Sequence, residues 1–470
     1  MTLAAAGVML TGGGPRRRVW AQSLPARLPP LDNLPTLDGP LLFDEAARQA
    51  GAGDNGGHVR LSPIAVLQAR SVVDVIRIVA YANQRGLKIA MRGQGHSQYG
   101  QSQVDDGIVI DSRALNAVRW HQSDTVDAQP GALWGEVAKV TLDKGLTPPV
   151  MPDAMMLTVG GTLSVGGIGE TTYRYGAQVD NVLELDVVTG SGELMTCSPE
   201  HNDELFRMTL AGIGQCGLIV RARLRLGPAP KFVSMLPLLY DDMDAFLFDQ
   251  GSLTTVDALG PLNGKITKGQ DGRWLFTLLA GTRVADMSDG QQRPGWTQGL
   301  RFKSTAAAET TSYWDYLDRR SASVAAGRAR RIANAALVAT LPDNSVRPFL
   351  THVLSRPEAF VGIWFFEVSA KVPARHGQPL QKMPDGPLAF ELRMQRRAGE
   401  AADLGAMLAA NHALVPRVQA AGGKIYPPYC PILSQAQWQA HYGAEIWQRF
   451  AAAKRRFDPS NVLTPGAGIF

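Results

Sequence analysis

Hydrophobic and polar positions follow a helical repeat after Ser71. Apolar residues recur at i, i+3, i+4 and i+7 over 72–79, which is the spacing of one helix face. Ser71 and Asp74 form a capping-box-like pair at the start of this stretch, and Gly86 is the kind of residue at which a helix ends. The pattern therefore predicts a helix that begins after Ser71 and ends at Gly86.

Short strands are predicted where runs of aliphatic and β-branched residues lie between turn residues. These runs are 88–91, 107–111, 182–188 and 218–226. A further helix is predicted over 131–144, where Leu133, Val137 and Val140 share one face, and 204–210 is also helical in pattern. Because strands and helices alternate with dense glycine turns over 55–226, this part of the chain is expected to form one α+β domain.

The pattern changes after Pro228, where glycine becomes less frequent. Long helix-like stretches are predicted over 306–340 and 398–421, and strand-like runs over 274–280, 361–368 and 388–394. These elements predict a second domain, an antiparallel sheet with helices on one side. The chain then returns to a helix over 438–457 and a turn-rich end, FDPSNVLTPGAGIF.

Length and composition narrow the classes of protein. A chain of 470 residues exceeds what one core usually supports, so two domains are expected. Lys and Arg number 47 against 42 Asp and Glu, a net charge of +5 without the basic runs of nucleic-acid binders. The three cysteines lack CxxC spacing, which indicates neither a disulfide framework nor a zinc site. No stretch reaches 18 apolar residues, so no membrane span is predicted.

The first 30 residues have the composition of a processing segment. An apolar run over 3–11 is followed by three arginines at 16–18 and a small-residue pattern at 19–21. A secretory signal carries its positive charge before the apolar run, whereas here the charge follows it. Two interpretations stay open: an export signal, which implies a periplasmic or secreted protein, and a disordered leader of a cytoplasmic one. Both exclude residues 1–30 from the fold.

Residues 212–217 match the dinucleotide fingerprint GxGxxG. That fingerprint requires a strand before it and a helix after it, so that a pyrophosphate lies at the helix N-terminus. Here a helical segment precedes and a strand follows. The inverted context favours tight-turn glycines over a Rossmann site.

A more informative loop is RGQGHSQ, residues 92–98, directly after a strand. Gly93 and Gly95 flank Gln94, so that backbone N–H groups could converge on an anion such as a pyrophosphate. His96 has no helix face to fill in this setting. Taken alone, however, a histidine in a loop is most often an ordinary surface residue.

A second glycine cluster, TVGGTLSVGG, covers 158–167. Two loops that allow close backbone approach suggest an extended ligand between them, although a pair of structural turns would look the same. Asp153, among prolines and methionines, has few obvious ionic partners. If it is buried, desolvation would raise its pKa and make it a candidate base; otherwise it is a turn or capping aspartate.

Together these segments resemble the flavin-linked oxidases with the vanillyl-alcohol oxidase fold, which carry a PCMH-type FAD-binding domain, and among them the cytokinin dehydrogenases. The segments are RGQGHSQYGQ, LTVGGTLSVGGIG, NVLELDVVTGSGELMTCSPE, GIGQCGLIVRARLRL and the end FDPSNVLTPG. The match is dense over 60–226 and again over 438–470. The resemblance implies an α+β, two-domain flavin-linked oxidase fold. It would have a discontinuous FAD-binding domain (40–226 and 430–470) and a substrate-binding domain (227–429) with an antiparallel sheet covered by helices.

The resemblance also implies residue roles. His96 would be the single covalent attachment point of FAD, because no cysteine before Cys197 could supply a second link. Asp153 would be the catalytic base and would also touch the cofactor. The other residues expected to contact FAD are Gly93, Gln94, Gly95, Ser97, Gln101, Thr158, Gly161, Ser164, Ile168, Ile219, Tyr429 and Thr464.

The implied reaction is oxidation of a secondary amine C–N bond to an imine, which needs a base for the N–H proton beside the flavin. One departure stands against a cytokinin substrate: the substrate-binding glutamate of the plant enzymes corresponds to Gly260. A second departure concerns the flavin, because a glutamine that touches its ribityl chain in the family corresponds to Ala467, although Thr464 keeps a hydroxyl. The alternative is the same scaffold acting on an alcohol, a sugar or an alkaloid-like amine. A binding protein without catalysis would not need His96. The expected partners are a small-molecule substrate and an electron acceptor, oxygen or a quinone, and the oligomeric state stays open.

Overall fold

A computed structural model of the chain describes residues 31–288, 294–319, 333–397, 401–431 and 433–470. The predicted leader, 1–30, lies outside the described residues. None of the described helices is both long and apolar enough to cross a membrane.

The first sheet positions the RGQGHSQ loop. Its strands are β1 (Leu41–Leu42), β2 (Ala65–Gln68), β3 (Ile89–Arg92) and β4 (Ile108–Asp111), in the order β1-β2-β4-β3, and β2 and β3 are parallel to β4. The helices are α1 (Glu45–Gly51) and α2 (Val72–Arg85). The predicted limits of α2 are confirmed: Ser71 and Asp74 form both hydrogen bonds of a capping box, and Gly86 ends the helix at φ +66°.

A second, antiparallel sheet of five strands follows. It has the order β5-β6-β10-β8-β9, with β5 (Val118–Gln122), β6 (Thr125–Ala128), β8 (Val182–Val188), β9 (Leu194–Cys197) and β10 (Leu218–Arg225). A small pair, β7 (Leu146–Thr147) and β11 (Gly227–Pro228), and the helices α3 (Trp134–Leu142), α4 (Val159–Leu163), α5 (Thr172–Tyr175) and α6 (Asp203–Thr209) complete this part. Because α6 precedes the 212–217 turn and β10 follows it, the inverted context of GxGxxG is confirmed.

The second half of the chain builds an antiparallel sheet of nine strands, as predicted. The strands are β12 (Phe232–Tyr240), β13 (Leu259–Lys268), β14 (Trp274–Val284), β15 (Ser304–Thr305), β16 (Glu309–Ser312), β17 (Leu337–Pro342), β18 (Ile363–Lys371), β19 (Ala389–Arg396) and β20 (Lys424–Ile425). The order is β15-β12-β14-β13-β18-β19-β17-β20, with β16 beside β12. The helices that pack on it include α7 (Met243–Leu253), α8 (Tyr313–Asp318), α9 (Asp343–Ser355) and α11 (Ala401–Ala420), and the short helix α10 (Pro357–Phe360) contacts α9 and α11.

Two predicted helices are wrong in part. The stretch 306–340 contains β16, the short helix α8 and β17, and its residues 320–332 lie outside the described residues. Strand β17 is buried and pairs with β19 over six residues, so tertiary pairing overrides the helix preference of its alanine-rich surroundings. The helix predicted over 438–457 is two helices, α12 (Gln435–Tyr442) and α13 (Ala444–Phe457), because Gly443 between them has φ +80°.

The C-terminal segment returns to the first sheet. The backbone N–H of Ile89 donates to the Val462 carbonyl at 2.8 Å, and the Thr464 N–H donates to the Ile89 carbonyl at 2.7 Å. A buried Lys454–Asp458 ion pair at 2.6 Å lies just before this segment, and the Asp458 carboxylate accepts from the Leu463 N–H at 2.9 Å. These contacts attach the C-terminal segment to β3, next to the loop that follows this strand.

Candidate active site

The loop 93–97 is fixed at the end of β3. The Arg92 guanidinium donates from Nη1 to the carbonyls of Gly51 and Gly53, at 3.1 and 2.6 Å. Gly95 has φ +59°, a left-handed conformation in which a side chain would be strained. The chain therefore turns sharply here and leaves backbone close to the space in front of the strand.

The second glycine cluster lies directly against this loop. A Cβ on Gly93 would lie only 2.1 Å from Oγ1 of Thr158, the residue that precedes α4. The Gly160 N–H donates to the Pro130 carbonyl at 2.9 Å, which holds the start of α4 in place. The two loops, 65 residues apart at Gly93 and Thr158, thus form one continuous wall.

His96 lies on this wall, opposite a segment from the far end of the chain. Its ring meets the ring of Tyr429 edge-on, with centroids 6.2 Å apart. Tyr429 ends a 3₁₀ turn, Pro427–Tyr429. The Gln98 N–H donates to the Pro428 carbonyl at 3.2 Å, and the Gln101 side chain donates to the Pro427 carbonyl at 3.0 Å. The histidine loop is therefore held by the turn that carries Tyr429.

A third piece of the wall comes from the 212–217 turn and the C-terminus. The Thr464 hydroxyl donates to the Gly214 carbonyl at 3.1 Å, and the Gln215 side chain donates to the Thr464 carbonyl at 2.8 Å. Ile213 and Gly214 both line the cavity described next. The turn thus contributes to the site, which the sequence interpretation as a structural turn did not include.

These pieces enclose a cavity of about 380 Å³, within the usual range for small-molecule and cofactor sites. Every residue assigned to FAD or to catalysis from the sequence lines it: Gly93, Gln94, Gly95, His96, Ser97, Gln101, Asp153, Thr158, Gly161, Ser164, Ile168, Ile219, Tyr429 and Thr464. The fold brings together residues from the first 220 positions and from the last 45.

Asp153 is paired, contrary to the expectation that it lacks an ionic partner. Its carboxylate contacts Nη1 of Arg393, on β19, and the side chains are 19% and 14% exposed, so the pair is largely buried. The guanidinium supplies a positive charge at the carboxylate, so desolvation does not act on Asp153 alone. Asp153 is therefore neither an isolated acid nor a simple turn residue.

Arg393 is itself surrounded by acids. Its guanidinium lies 3.6 Å from a Glu367 carboxylate oxygen and 3.8 Å from one of Glu391. Burial alone would lower the pKa of Arg393, but the carboxylates of Asp153, Glu367 and Glu391 raise it well above its usual value. Lys371 lies 3.8 Å from Glu391. The wall behind Asp153 is thus a buried charge cluster, composed of Asp153, Glu367, Lys371, Glu391 and Arg393.

A second cavity, of about 190 Å³, meets the first at Pro152 and Asp153. The rings of Tyr313 and Tyr316 line it and are stacked at 10° with centroids 6.2 Å apart. Gly260 also lines it and brings no side chain. Asp153 therefore lies where two cavities join, and the second has aromatic walls.

Besides Asp153, the carboxylate of Glu170 lines the second cavity, beside the tyrosines. It accepts from the Tyr316 hydroxyl and pairs with Arg319 at 2.8 Å. Burial, followed by the charge of Glu170, raises the pKa of Tyr316 well above its usual value, so the phenol stays a hydrogen-bond donor. The acid is thus already engaged by its neighbours.

Sequence reasoning missed the part of the cavity that β18 and β19 contribute. Trp364, Phe365, Arg393 and Gln395 line it, and the Trp364 ring lies under the Arg397 guanidinium at 4.1 Å. A signal was present: Glu391, Arg393 and Gln395 alternate with Phe390, Leu392 and Met394 along the strand, so the polar side chains project to one face. Polar residues at alternate positions of a buried strand indicate a site on that face.

The cavity has the features that an FAD molecule needs. Gly93 and Gly95 have no side chains, so the backbone there can approach a ligand closely, which suits a pyrophosphate. Gln94, Ser97, Gln101 and Thr464 offer amide and hydroxyl groups along the same wall. Apolar residues such as Ile168, Ile219 and Leu218 offer the flat contact that a ring system requires. The residues therefore fit the cofactor.

Comparison with protein families gives two matches. Residues 63–198 match the family described as an FAD binding domain. Residues 385–470 match the family described as cytokinin dehydrogenase 1, FAD and cytokinin binding. The first range contains both glycine loops, and the second contains Arg393, Tyr429 and Thr464.

The fold also matches solved structures. A crystal structure of 6-hydroxy-D-nicotine oxidase from Arthrobacter nicotinovorans superposes with a TM-score of 0.70, covering 91% of this chain and 96% of that one at 20% identity. The two-domain flavin oxidase fold expected from the sequence is confirmed. The fold is therefore that of the two-domain flavin oxidases, and residues 63–198 match an FAD binding domain.

Two relatives define the family more closely. Cytokinin dehydrogenase 4 from Oryza sativa subsp. japonica is 34% identical over 484 residues, covering 92% of this chain and 90% of the relative. An uncharacterized oxidoreductase, ORF5 in the fasciation locus of Rhodococcoides fascians, is 32% identical over 431 residues, covering 90% and 97%. The chain belongs to the family of FAD-dependent oxidoreductases formed by the cytokinin dehydrogenases and their relatives.

Proposed function

We propose that this protein oxidises the C–N bond of a secondary amine to an imine. In this proposal FAD is attached covalently to His96, and Asp153 is the base. The observation that carries the proposal is the junction at Asp153. A carboxylate paired with Arg393 there lies on the wall of the cavity that fits FAD and also on the wall of a second cavity large enough for part of a substrate.

The residues that would hold FAD are those of the two glycine loops and the C-terminal wall. His96 is fixed between the 93–97 loop and the Tyr429 turn, a setting that supports a single attachment point. The three cysteines are buried and none of them lines the cavity, although Cys216 and Cys430 each adjoin a residue that does, Gly217 and Tyr429. When bound, FAD supplies the two-electron acceptor that takes a substrate hydrogen as hydride.

Asp153 would perform the other half of the reaction. As hydride leaves the carbon, the N–H bond must break, and the Asp153 carboxylate takes that proton while the nitrogen electron pair completes the C=N bond. Arg393 favours the charged carboxylate, which is the form able to accept a proton. Reoxidation by oxygen or a quinone would complete the cycle.

A second candidate is the same flavoenzyme scaffold oxidising a different substrate, such as an alcohol, a sugar or an alkaloid-like amine. Gly260 is the observation that favours it: the wall of the second cavity has no side chain at this position, and Glu170 nearby is engaged by Arg319 and Tyr316. Apart from Asp153 at the junction, this cavity therefore presents stacked tyrosines and prolines rather than a further carboxylate available to a substrate.

An anaerobic substrate panel separates oxidation of an amine from oxidation of an alcohol or a sugar. Purified protein is mixed with cytokinins that have unsaturated side chains, with other secondary amines, and with alcohols and sugars, and bleaching of the flavin absorbance is recorded. We expect bleaching by secondary amines and none by alcohols or sugars. Bleaching by alcohols or sugars alone would replace the proposed reaction with the second candidate.

Asp153→Asn tests the base directly. Loss of a general base typically slows a reaction by about 10²- to 10⁴-fold, so we expect anaerobic flavin reduction to slow by that order while the bound flavin is retained. Asp143→Asn, at an exposed helix end, is the matched control and should leave the rate unchanged. A rate for Asp153→Asn within about threefold of wild type would make Asp153 a structural residue.

A further inference from the structure

We propose that Arg393 is the positioning residue of the active site: it holds the Asp153 carboxylate at the junction of the two cavities and keeps it charged. This inference rests on the proposed function, in which Asp153 accepts the substrate proton. It assigns a role in that reaction to a side chain from the nine-stranded sheet, 240 residues away from Asp153 along the chain.

The contact between Asp153 and Arg393 joins a loop to a strand. Asp153 lies in a proline-rich loop of the first part of the chain, and no regular helix or strand contains it. Arg393 lies on β19, which pairs on one side with β17 and on the other with β18. A side chain on a strand inside a sheet has little freedom, whereas a loop carboxylate has more. The strand therefore fixes the loop, and not the reverse.

Arg393 is held in turn by the groups around it. Its guanidinium faces Glu367 on β18 at 3.6 Å and Glu391 on β19 at 3.8 Å. Tyr429 also lies close enough to raise the pKa of Arg393. Glu367 accepts a hydrogen bond from Asn263 at 2.6 Å. These partners orient the arginine, so that one end of the guanidinium is directed to Asp153.

The charge balance suits a base that must be reset. The cluster has three acids, Asp153, Glu367 and Glu391, and two cations, Arg393 and Lys371. With Asp153 charged, the cluster carries one net negative charge; when Asp153 takes a proton, the cluster becomes neutral. A cluster with a net negative charge accepts a proton more readily than an isolated Asp–Arg pair would.

Two substitutions separate charge from position. Arg393→Lys keeps the positive charge but loses the planar, two-sided guanidinium, so the carboxylate should be displaced. A displacement of about 1 Å can cost about 10²-fold in rate. We therefore expect Arg393→Lys to reduce flavin up to about 10²-fold more slowly without moving the pH profile. Arg393→Gln loses the charge as well.

The sign of the pH effect follows from the role of the carboxylate. Reduction requires the charged form of Asp153, so its rate falls as the pH falls. Arg393 favours the charged form, and its loss makes protonation easier. In Arg393→Gln the acidic limb of the pH profile should therefore move to higher pH, by about one pH unit or more. Arg347→Gln, which breaks an exposed pair with Asp244, is the matched control and should leave the profile unchanged.

The double variant decides whether Arg393 acts through Asp153. In the Asp153→Asn background, Arg393→Lys should slow reduction by no more than about twofold, because the group it positions is gone. Covalent flavin in the acid-precipitated pellet and the urea unfolding midpoint are measured for every variant. Both should stay near wild type for Arg393→Lys, which keeps the buried acids compensated.

Each outcome has one meaning. Rate losses that multiply in the double variant, or an Arg393→Lys variant that reduces as fast as wild type, would overturn the positioning role and leave the proposed function intact. An Arg393→Lys variant that loses flavin or stability in step with its rate would make the residue structural, which also overturns the proposal. An unaltered rate in Asp153→Asn would overturn the proposed function and this inference together.

Discussion

At the scale of single residues, His96 has the most demanding position. Its loop is held by the Arg92 side chain on one side and by the 427–429 turn on the other, so the imidazole has a fixed place on the cavity wall. A residue that forms a covalent bond to a cofactor needs such a fixed place, because the reacting atoms must stay aligned.

His96→Ala should abolish covalent flavin. Acid-precipitated wild-type protein is expected to keep its yellow colour in the pellet, whereas the variant should release it to the supernatant, since only noncovalent contacts would remain. Absorbance of the two fractions measures the split. His201→Ala, at an exposed loop position, is the control and should keep its colour. Free flavin released from the wild type would refute the attachment.

At the scale of elements, the contact between the two glycine loops determines the shape of the flavin cavity. The loops meet where Gly93 faces Thr158, and the gap between them has no room for even one more carbon atom. A change of one methyl group at this contact should therefore move a whole loop, and with it the residues that are expected to hold the cofactor.

Gly93→Ala should lower flavin loading, because its Cβ would lie 2.1 Å from Thr158 Oγ1 and must push the loops apart. Overpacking of this kind costs typically about 1–3 kcal/mol, so the unfolding midpoint should fall as well. Flavin content per protein and urea unfolding are the measurements. Gly227→Ala, where a Cβ meets no atom within 4 Å, should change neither. Full loading of the Gly93 variant would contradict the assigned contact.

At the scale of the whole molecule, residues far apart in the chain line one cavity. The C-terminal segment binds the first sheet through Ile89 and contributes Thr464 to the cavity, and Phe470 stacks on Trp447 with centroids 4.8 Å apart. This arrangement supports a discontinuous FAD-binding domain, composed of 40–226 and 430–470, which we propose folds as a unit around the cofactor.

Deleting residues 461–470 should abolish flavin incorporation, because it removes the backbone pairing with Ile89 and the hydroxyl of Thr464. Covalent flavin content and circular dichroism of the purified protein are the measurements. Deleting Phe470 alone removes one stacked ring and leaves those contacts in place, so it should load flavin normally. A protein that lacks the ten residues and still loads fully would show that the segment is dispensable.

The sequence by itself determined the elements whose signals are local. The cap of α2 at Ser71 and its end at Gly86, the strand 182–188 and the long helix near 401–420 were all predicted, because short-range hydrogen bonds and periodicity specify them. The glycine loops were also identified from adjacent residues, whereas the role expected of His96 came from the family resemblance. Glycine is favoured where the backbone has a positive φ or approaches another group closely, so its positions can be interpreted without the fold.

Only the tertiary structure decided what depends on distant pairing. Strand β17 became a strand because β19 lies beside it, and the helix after Gln435 was divided at Gly443 by a backbone conformation that composition does not reveal. The partner of Asp153 lies 240 residues away on a strand, and a contact between charges depends on their separation in space rather than along the chain. The residue types indicate which chemistry is available, and the tertiary structure determines which of these residues are in contact.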